Sequence, residues 1–171
     1  KPLETVRRGV NARQRGIAAH RAMELLFGEL PTRGELEQWK PAEKLERVER
    51  SVTQALGEVF GDARGPLRIE FELEAQRLNA VLTNFLAMDL QRPDFAVREV
   101  EERRAVPLGE LELSCRLDRI DVMSTSESPE KLVIIDYKTG KRGSPTDWLR
   151  ERPRDVQLPL YTLAVEDPVC A

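Results

Sequence analysis

An aspartate and a lysine stand two residues apart at the end of an apolar run in the last third of the chain. The run covers residues 132–136, and Lys138 follows it closely. Side chains alternate between the two faces of a β-strand, so we expect Asp136 and Lys138 to leave one face and Tyr137 the other. An unbroken apolar run is typical of a central strand, and the polar residues after it indicate a loop of the kind that carries ligand sites. This pair is therefore the first candidate for chemistry.

A second carboxylate lies on the stretch that precedes this strand. Asp118 sits between Leu117 and Arg119, and antiparallel pairing through a loop at residues 124–130 would bring it opposite Asp136. Two carboxylates at such a short distance repel each other unless a cation lies between them. Hard oxygen ligands of this kind suit Mg²⁺ or Mn²⁺. A bound metal lowers the pKa of its water, and a neighbouring lysine orients that water for attack on a phosphate. These residues therefore predict hydrolysis of a phosphodiester.

The order of four short motifs resembles one branch of a known nuclease family. Residues 115–121 read Cys-Arg-Leu-Asp-Arg-Ile-Asp, residues 133–140 Val-Ile-Ile-Asp-Tyr-Lys-Thr-Gly, residues 157–161 Gln-Leu-Pro-Leu-Tyr, and residues 16–20 Gly-Ile-Ala-Ala-His. This succession is similar to that of the RecB-like branch of the PD-(D/E)XK nucleases. The resemblance implies an α/β fold with α+β layering: a restriction-endonuclease-like core with a central mixed sheet flanked by helices, after a helical N-terminal region.

The resemblance also implies a role for each matching residue. The metal ligands of the family correspond to the side chains of His20, Asp118 and Asp136. A fourth ligand corresponds to the main-chain carbonyl of Tyr137. Lys138 corresponds to the catalytic lysine, which acts together with Asp118 and Asp136. Gln157 and Tyr161, one helical turn apart, brace the site or contact DNA. Glu101 aligns with a glutamate often found upstream in relatives, which makes it a candidate for a position near the metal. The implied activity is Mg²⁺- or Mn²⁺-dependent hydrolysis of DNA, exonuclease-like, in DNA repair or recombination.

Simpler interpretations of the same residues stay open at this point. Asp136 and Lys138 are also compatible with a plain salt bridge at a strand end. Gln157 and Tyr161 are compatible with packing of a helix on the sheet, and Asp121 with a structural ion pair. An alternative function for the whole chain is a catalytically silent RecB-like module that binds DNA or a helicase partner.

The two cysteines argue against a cysteine-bound cofactor. Cys115 and Cys170 lie far apart and form no pattern with metal-ligand spacing, so we expect two reduced thiols. The cysteines that hold an iron–sulfur cluster in some relatives are missing, and we expect no such cluster. Cys115 stands where the family usually has glycine, which puts the close packing of that strand in question.

Hydrophobic periodicity predicts the elements that must position these residues. Helical spacing is found in four stretches: residues 13–29, 32–59, 67–90 and 148–165. Pro41 interrupts the second stretch, which therefore forms two helices or one broken helix. Strand patterns are found in three: residues 96–106, 111–123 and 132–136. Residues 1–92 are thus mostly helical, and residues 93–171 supply a sheet core plus a helix. We expect one nuclease domain over residues 1–171, cut from a longer protein.

Composition limits the class of protein and its surroundings. With 40% hydrophobic and 33% charged residues, the chain is typical of a folded globular protein. The net charge of −3 argues mildly against nucleic acid, although basic residues gather near both ends of the chain. There is no apolar run of about 18 residues and no secretory leader, so we expect a cytoplasmic protein with no membrane partner. The resemblance adds DNA and a helicase domain or subunit as expected partners.

Overall fold

Four helices precede a sheet of four strands in the computed structural model, which describes residues 11–61, 67–108, 110–125, 128–139, 157–165 and 168–170. In chain order the elements are α1 (Ala12–Phe27), α2 (Arg33–Gln38), α3 (Pro41–Phe60), α4 (Leu67–Asp89), β1 (Ala96–Leu108), β2 (Leu111–Thr125), β3 (Ser128–Ile135), α5 (Gln157–Thr162) and β4 (Pro168–Cys170). The chain divides into two compact units, residues 1–26 with 40–87 and residues 27–39 with 88–171.

The first unit consists of most of α1, α3 and most of α4, and each of these helices buries one stripe of side chains. The buried apolar residues recur every three or four positions: Ala18, Ala22 and Met23 in α1, Val48, Val52 and Leu56 in α3, and Leu78, Leu82 and Leu86 in α4. Full burial of each valine, leucine or methionine side chain of this set contributes about 1.5 to 3 kcal/mol. An ion pair of 2.5 Å between Arg21 Nε and Glu58 Oε2 also joins α1 to α3.

The boundaries of α3 follow from the backbone chemistry of its ends. Pro41 lies in the first turn, where its missing N–H breaks no helical hydrogen bond. Gly61 ends the helix with φ of 66°, a conformation that glycine adopts without penalty, and its N–H donates to the Gly57 carbonyl at 2.8 Å. The predicted interruption at Pro41 is confirmed, and the stretch forms two helices.

The second unit contains α2, the sheet and α5. The strand order is β1-β2-β3-β4; the first three strands form an antiparallel meander, and β4 runs parallel to β3. Residues of β2, β3, α5 and the turn after α5 form a buried cluster: Leu117, Ile120, Ile134, Tyr161 and Val165. The mixed sheet with accompanying helices confirms the predicted α/β fold class.

Several bounds of the predicted elements were wrong, and part of one predicted helix lies outside the described residues. The loop predicted at residues 124–130 is shorter, because β3 already begins at Ser128; ladder hydrogen bonds use the backbone and do not require apolar side chains. The strand ends at Ile135, so Asp136 follows it directly. Of the helix predicted over residues 148–165, α5 covers Gln157–Thr162 and residues 163–165 form a turn, while residues 148–156 lie outside the described ranges. None of the described helices is long and apolar enough to cross a membrane.

Candidate active site

The hairpin formed by β2 and β3 brings two of the predicted acidic residues together. Its register pairs Arg119 with Ile135, so one further step along both chains sets Asp118 opposite Asp136. The backbone N–H of Tyr137 donates a hydrogen bond of 2.7 Å to Asp118 Oδ2. The antiparallel pairing expected from the sequence is confirmed, and it holds the buried Asp118 carboxylate against the segment that follows β3.

Lys138 lies beside Asp136, as the alternation of side chains predicts. Its Nζ atom is 2.7 Å from Asp136 Oδ2, and it also donates to Oε1 of Gln157. The lysine side chain is 40% exposed, whereas that of Asp136 is 4% exposed. The buried carboxylate therefore positions an ammonium group that a substrate can reach from solvent.

Helix α5 contributes two polar groups next to this pair. Gln157 accepts from Lys138 through Oε1 and donates through Nε2 to Tyr161 Oη at 3.1 Å. Burial and, after it, the negative charge of Asp136 raise the pKa of Tyr161 to about 12. The phenol therefore stays protonated near neutral pH, where it holds the glutamine amide and does not act as a base.

Glu101 occupies an irregular point of β1. Its φ of 53° lies in the left-handed region, which costs a residue with a side chain about 1 to 3 kcal/mol. The register of β1 and β2 sets it opposite Asp118, and carboxylate oxygens of the two residues lie within 4.8 Å of each other. The Glu101 side chain is 6% exposed and forms an ion pair with Arg116. Strain of this kind is often found where a side chain must be aimed at a functional site.

These acidic residues have the chemistry of a divalent-metal site. Glu101, Asp118 and Asp136 are all nearly buried, and burial disfavours an ionised carboxylate unless a positive charge compensates it. Arg116 and Lys138 supply part of that compensation from more exposed positions. All three donors are carboxylate oxygens, the ligand type that hard divalent cations prefer. The residues present therefore fit a divalent metal.

His20, the remaining predicted ligand, belongs to the first unit. It is a half-buried residue of α1, on a stretch where Ala18 and Ala19 are buried. Its participation in the metal site stays a prediction, as do the roles assigned to the other site residues.

The opposite face of β2 carries a buried ionic network that sequence reasoning did not find. Arg119 is fully buried and donates to Asp121 at 2.6 and 2.9 Å and to Asp89 Oδ2 at 2.6 Å. Its guanidinium also lies over the Phe27 ring, 4.1 Å from the ring centre. Arg92 completes the network by donating to Asp89 and Asp121 at 2.9 and 2.8 Å. Asp121 therefore takes part in a structural ion pair, as its simpler interpretation from the sequence predicted.

Tyr137 connects this network to the site. Burial raises the pKa of its hydroxyl, and the Arg119 guanidinium interacts with the hydroxyl and offsets part of that rise. The Tyr137 amide meanwhile holds Asp118. The sequence contained one indication of this network, the succession Asp118, Arg119, Ile120 and Asp121. It places charged residues on both faces of a strand, and charges on a buried face indicate ion pairs.

Cys115, at the position where glycine was expected, is accommodated. The residue is a half-buried free thiol and packs against the cluster that contains Leu117 and Tyr161. Its side chain fills space at the border of the core. The substitution therefore leaves β2 intact and in register with its neighbours.

Comparison with known families agrees with this geometry. Residues 3–168 match the profile of the PD-(D/E)XK nuclease superfamily. The chain therefore belongs to the PD-(D/E)XK nuclease superfamily, and Asp136-Tyr137-Lys138 has the form of its (D/E)XK motif. Membership makes it a metal-dependent nuclease, a hydrolase of phosphodiester bonds. A search of curated proteins found no significant match.

Proposed function

We propose that the chain is a RecB-like deoxyribonuclease that uses Mg²⁺ or Mn²⁺ and acts as an exonuclease in DNA repair or recombination. One observation carries the proposal: the Tyr137 amide holds the Asp118 carboxylate beside the Asp136–Lys138 pair. Family membership supports nuclease chemistry, and the succession of motifs supports the RecB-like branch. A helicase domain or subunit is the partner proposed on the same resemblance.

In this proposal the metal is held by His20, Asp118, Asp136 and the main-chain carbonyl of Tyr137. When bound, the metal supplies a water of lowered pKa and compensates charge that builds up on the phosphate. Glu101 lies beside Asp118 and adds negative charge that attracts the cation. The oxygen-rich set favours Mg²⁺ and Mn²⁺ over softer metals, and one imidazole is compatible with either.

Lys138 is proposed as the group that orients the attacking water and stabilises negative charge on the reacting phosphate. Its ammonium is exposed enough to meet a substrate, and Asp136 and Gln157 fix its position from behind. Preorganised donors of this kind reduce the reorganisation needed in the transition state. Gln157 and Tyr161 are therefore positioning residues that act through the lysine.

The test is cleavage of end-labelled single- and double-stranded DNA with Mg²⁺ or Mn²⁺. Asp136→Ala and Lys138→Ala should lower the rate at least about a hundredfold, as expected for loss of an electrostatic catalytic group. Matched controls are Asp94→Ala and Lys131→Ala, which alter exposed residues of the same types and should retain wild-type rates. Linear DNA degraded faster than closed circular DNA identifies an exonuclease.

Equal residual activity in the wild type, Asp136→Ala and Lys138→Ala would contradict the proposal. Binding of DNA without metal-stimulated cleavage would instead favour the silent binding module. Activity on closed circles equal to that on linear DNA would refute only the exonuclease part of the proposal.

A further inference from the structure

Two arginines face each other across the β1–β2 hairpin at the border of the candidate metal site. The strand register pairs Arg103 directly with Arg116, and both side chains are exposed. Directly opposite residues of an antiparallel pair project from the same face, and like charges in that arrangement destabilise a sheet. The pair therefore has an electrostatic cost that a bound anion would relieve.

Side-chain contacts, and not the strand register alone, set the position of this arginine pair. Arg116 forms an ion pair with Glu101, and Glu101 has a carboxylate oxygen within 4.8 Å of one of Asp118. Glu101 thus connects the guanidinium of Arg116 with Asp118, one of the proposed metal ligands. Arg103 is its cross-strand neighbour, and within the described parts of the chain no carboxylate pairs with it.

The other arginines of β1 differ from Arg103 because each of them has a carboxylate partner. Arg98 and Arg104 both form ion pairs with Glu99, at 3.5 and 2.6 Å. Arg116 Nε contacts Glu101 Oε2, and the Arg116 side chain is 55% exposed. A guanidinium has five N–H donors, so Arg116 can bind a second anion while this ion pair persists. Among the described arginines of β1 and β2, Arg103 therefore has a charge that no carboxylate compensates, and Arg116 adds exposed donors directly opposite it.

We propose that Arg103 and Arg116 form a phosphate-binding site that holds the DNA backbone next to the phosphate that is cut; this inference rests on the proposed function. A chain with net charge −3 and three buried acids at its site repels a polyanion. Two guanidinium groups at the border offset that repulsion where it is strongest. Their planar forks match the oxygens of a phosphate and provide paired hydrogen bonds to it.

The experiment measures DNA binding without cleavage. A short fluorescent single-stranded oligonucleotide is titrated with the full chain in EDTA and in Ca²⁺ at a series of KCl concentrations. Arg103→Gln and Arg116→Gln should each weaken binding about five- to tenfold near 0.1 M salt, and each should lower the slope of log K against log salt by about 0.7. The matched control Arg98→Gln removes an arginine of the same strand with similar exposure, 52%, that is paired with Glu99; it should leave the slope unchanged.

Arg103→Gln is the cleaner variant, because Arg116→Gln also deprives Glu101 of its partner. Circular dichroism of each variant shows whether it is folded, and Arg103→Lys should retain the wild-type salt slope with weaker binding. Equal slopes for the wild type, Arg103→Gln and Arg116→Gln would overturn the inference, and so would an equal loss in Arg98→Gln. Failure of the wild type to cleave, with the arginine-dependent slope intact, would count against the nuclease proposal alone.

Discussion

The substitution Asp121→Ala removes the carboxylate that compensates the most buried charge of the second unit. Arg119 is fully buried and donates two hydrogen bonds to Asp121, of 2.6 and 2.9 Å, and one of 2.6 Å to Asp89. Arg92 loses a bond of 2.8 Å as well. Removal of one partner from a buried ion pair costs about 3 to 5 kcal/mol, because the remaining charge stays in a region of low polarity. Since Asp89 remains, we expect a loss of about 3 kcal/mol in the free energy of unfolding.

Urea unfolding followed by circular dichroism measures this loss. The control Glu72→Ala breaks the exposed Arg68–Glu72 pair of 2.8 Å and should cost less than about 1 kcal/mol. Asp121→Asn retains the volume and one acceptor oxygen, so we expect an intermediate loss of about 1 to 2 kcal/mol. The dependence of the free energy on urea must be the same in all variants for the midpoints to be comparable.

The order of the three losses decides whether the reasoning holds. If Asp121→Ala shifts the unfolding midpoint no more than Glu72→Ala does, the guanidinium of Arg119 does not depend on Asp121. The description of the network as the compensation for a buried charge would then be refuted. A protein of this size has about 5 to 15 kcal/mol of stability, so the folded state of Asp121→Ala should remain measurable.

Three further predictions concern the site. The chain has two tyrosines, Tyr137 and Tyr161, and the pKa of each is raised. Tyrosinate absorbance should therefore appear well above pH 10 in the folded protein and near pH 10 in urea. Because the folded state keeps protons that the unfolded state loses, stability should fall as the pH rises from about 10 through 12, and less steeply in Tyr161→Phe. Mn²⁺ at a hundred times its dissociation constant should stabilise the protein by about 2.7 kcal/mol, and an unchanged melting temperature in wild type, or an equal rise in Asp118→Ala, would contradict the metal site. Gln157→Ala should lower kcat about two- to tenfold with KM unchanged, because it loosens Lys138 in the transition state; a change in KM alone would assign the glutamine to DNA binding.

Local spacing explains why part of the site was predictable. Asp118 lies on β2 and Asp136 directly follows β3. These two strands are joined by a short connection, and such a hairpin constrains the register. Lys138 follows from strand alternation, because residues two apart share a face. Gln157 and Tyr161 share a helix face by their spacing of four, although the sequence left packing and function equally open for them. In each case a few neighbouring residues contain the needed information.

Contacts between distant segments account for what was missed. Arg119 meets Asp89 across 30 positions of sequence, and Arg92 meets Asp121 across 29. No periodicity relates the end of a helix to the middle of a strand, so the sequence indicated only that Arg119 and Asp121 share a face. The left-handed backbone of Glu101 was equally invisible, because glutamate gives no signal for a positive φ. The resemblance made Glu101 a candidate for a position near the metal, and spacing alone gave no indication that it would lie close to Asp118.

The two faces of β2 are best understood together. A buried ionic network is a poor way to gain stability, because removing its charges from water often costs more free energy than their mutual attraction returns. Apolar residues of equal volume often stabilise a protein as much or more. This network lies directly behind Asp118, and Tyr137 belongs to both sides: its amide holds Asp118, while its buried hydroxyl interacts with Arg119. Fixed hydrogen-bond geometry restrains the backbone of the two strands more than interchangeable apolar contacts do. We therefore infer that the network serves the alignment of the site, because a proposed metal ligand such as Asp118 must be held to within about half an ångström of its productive position.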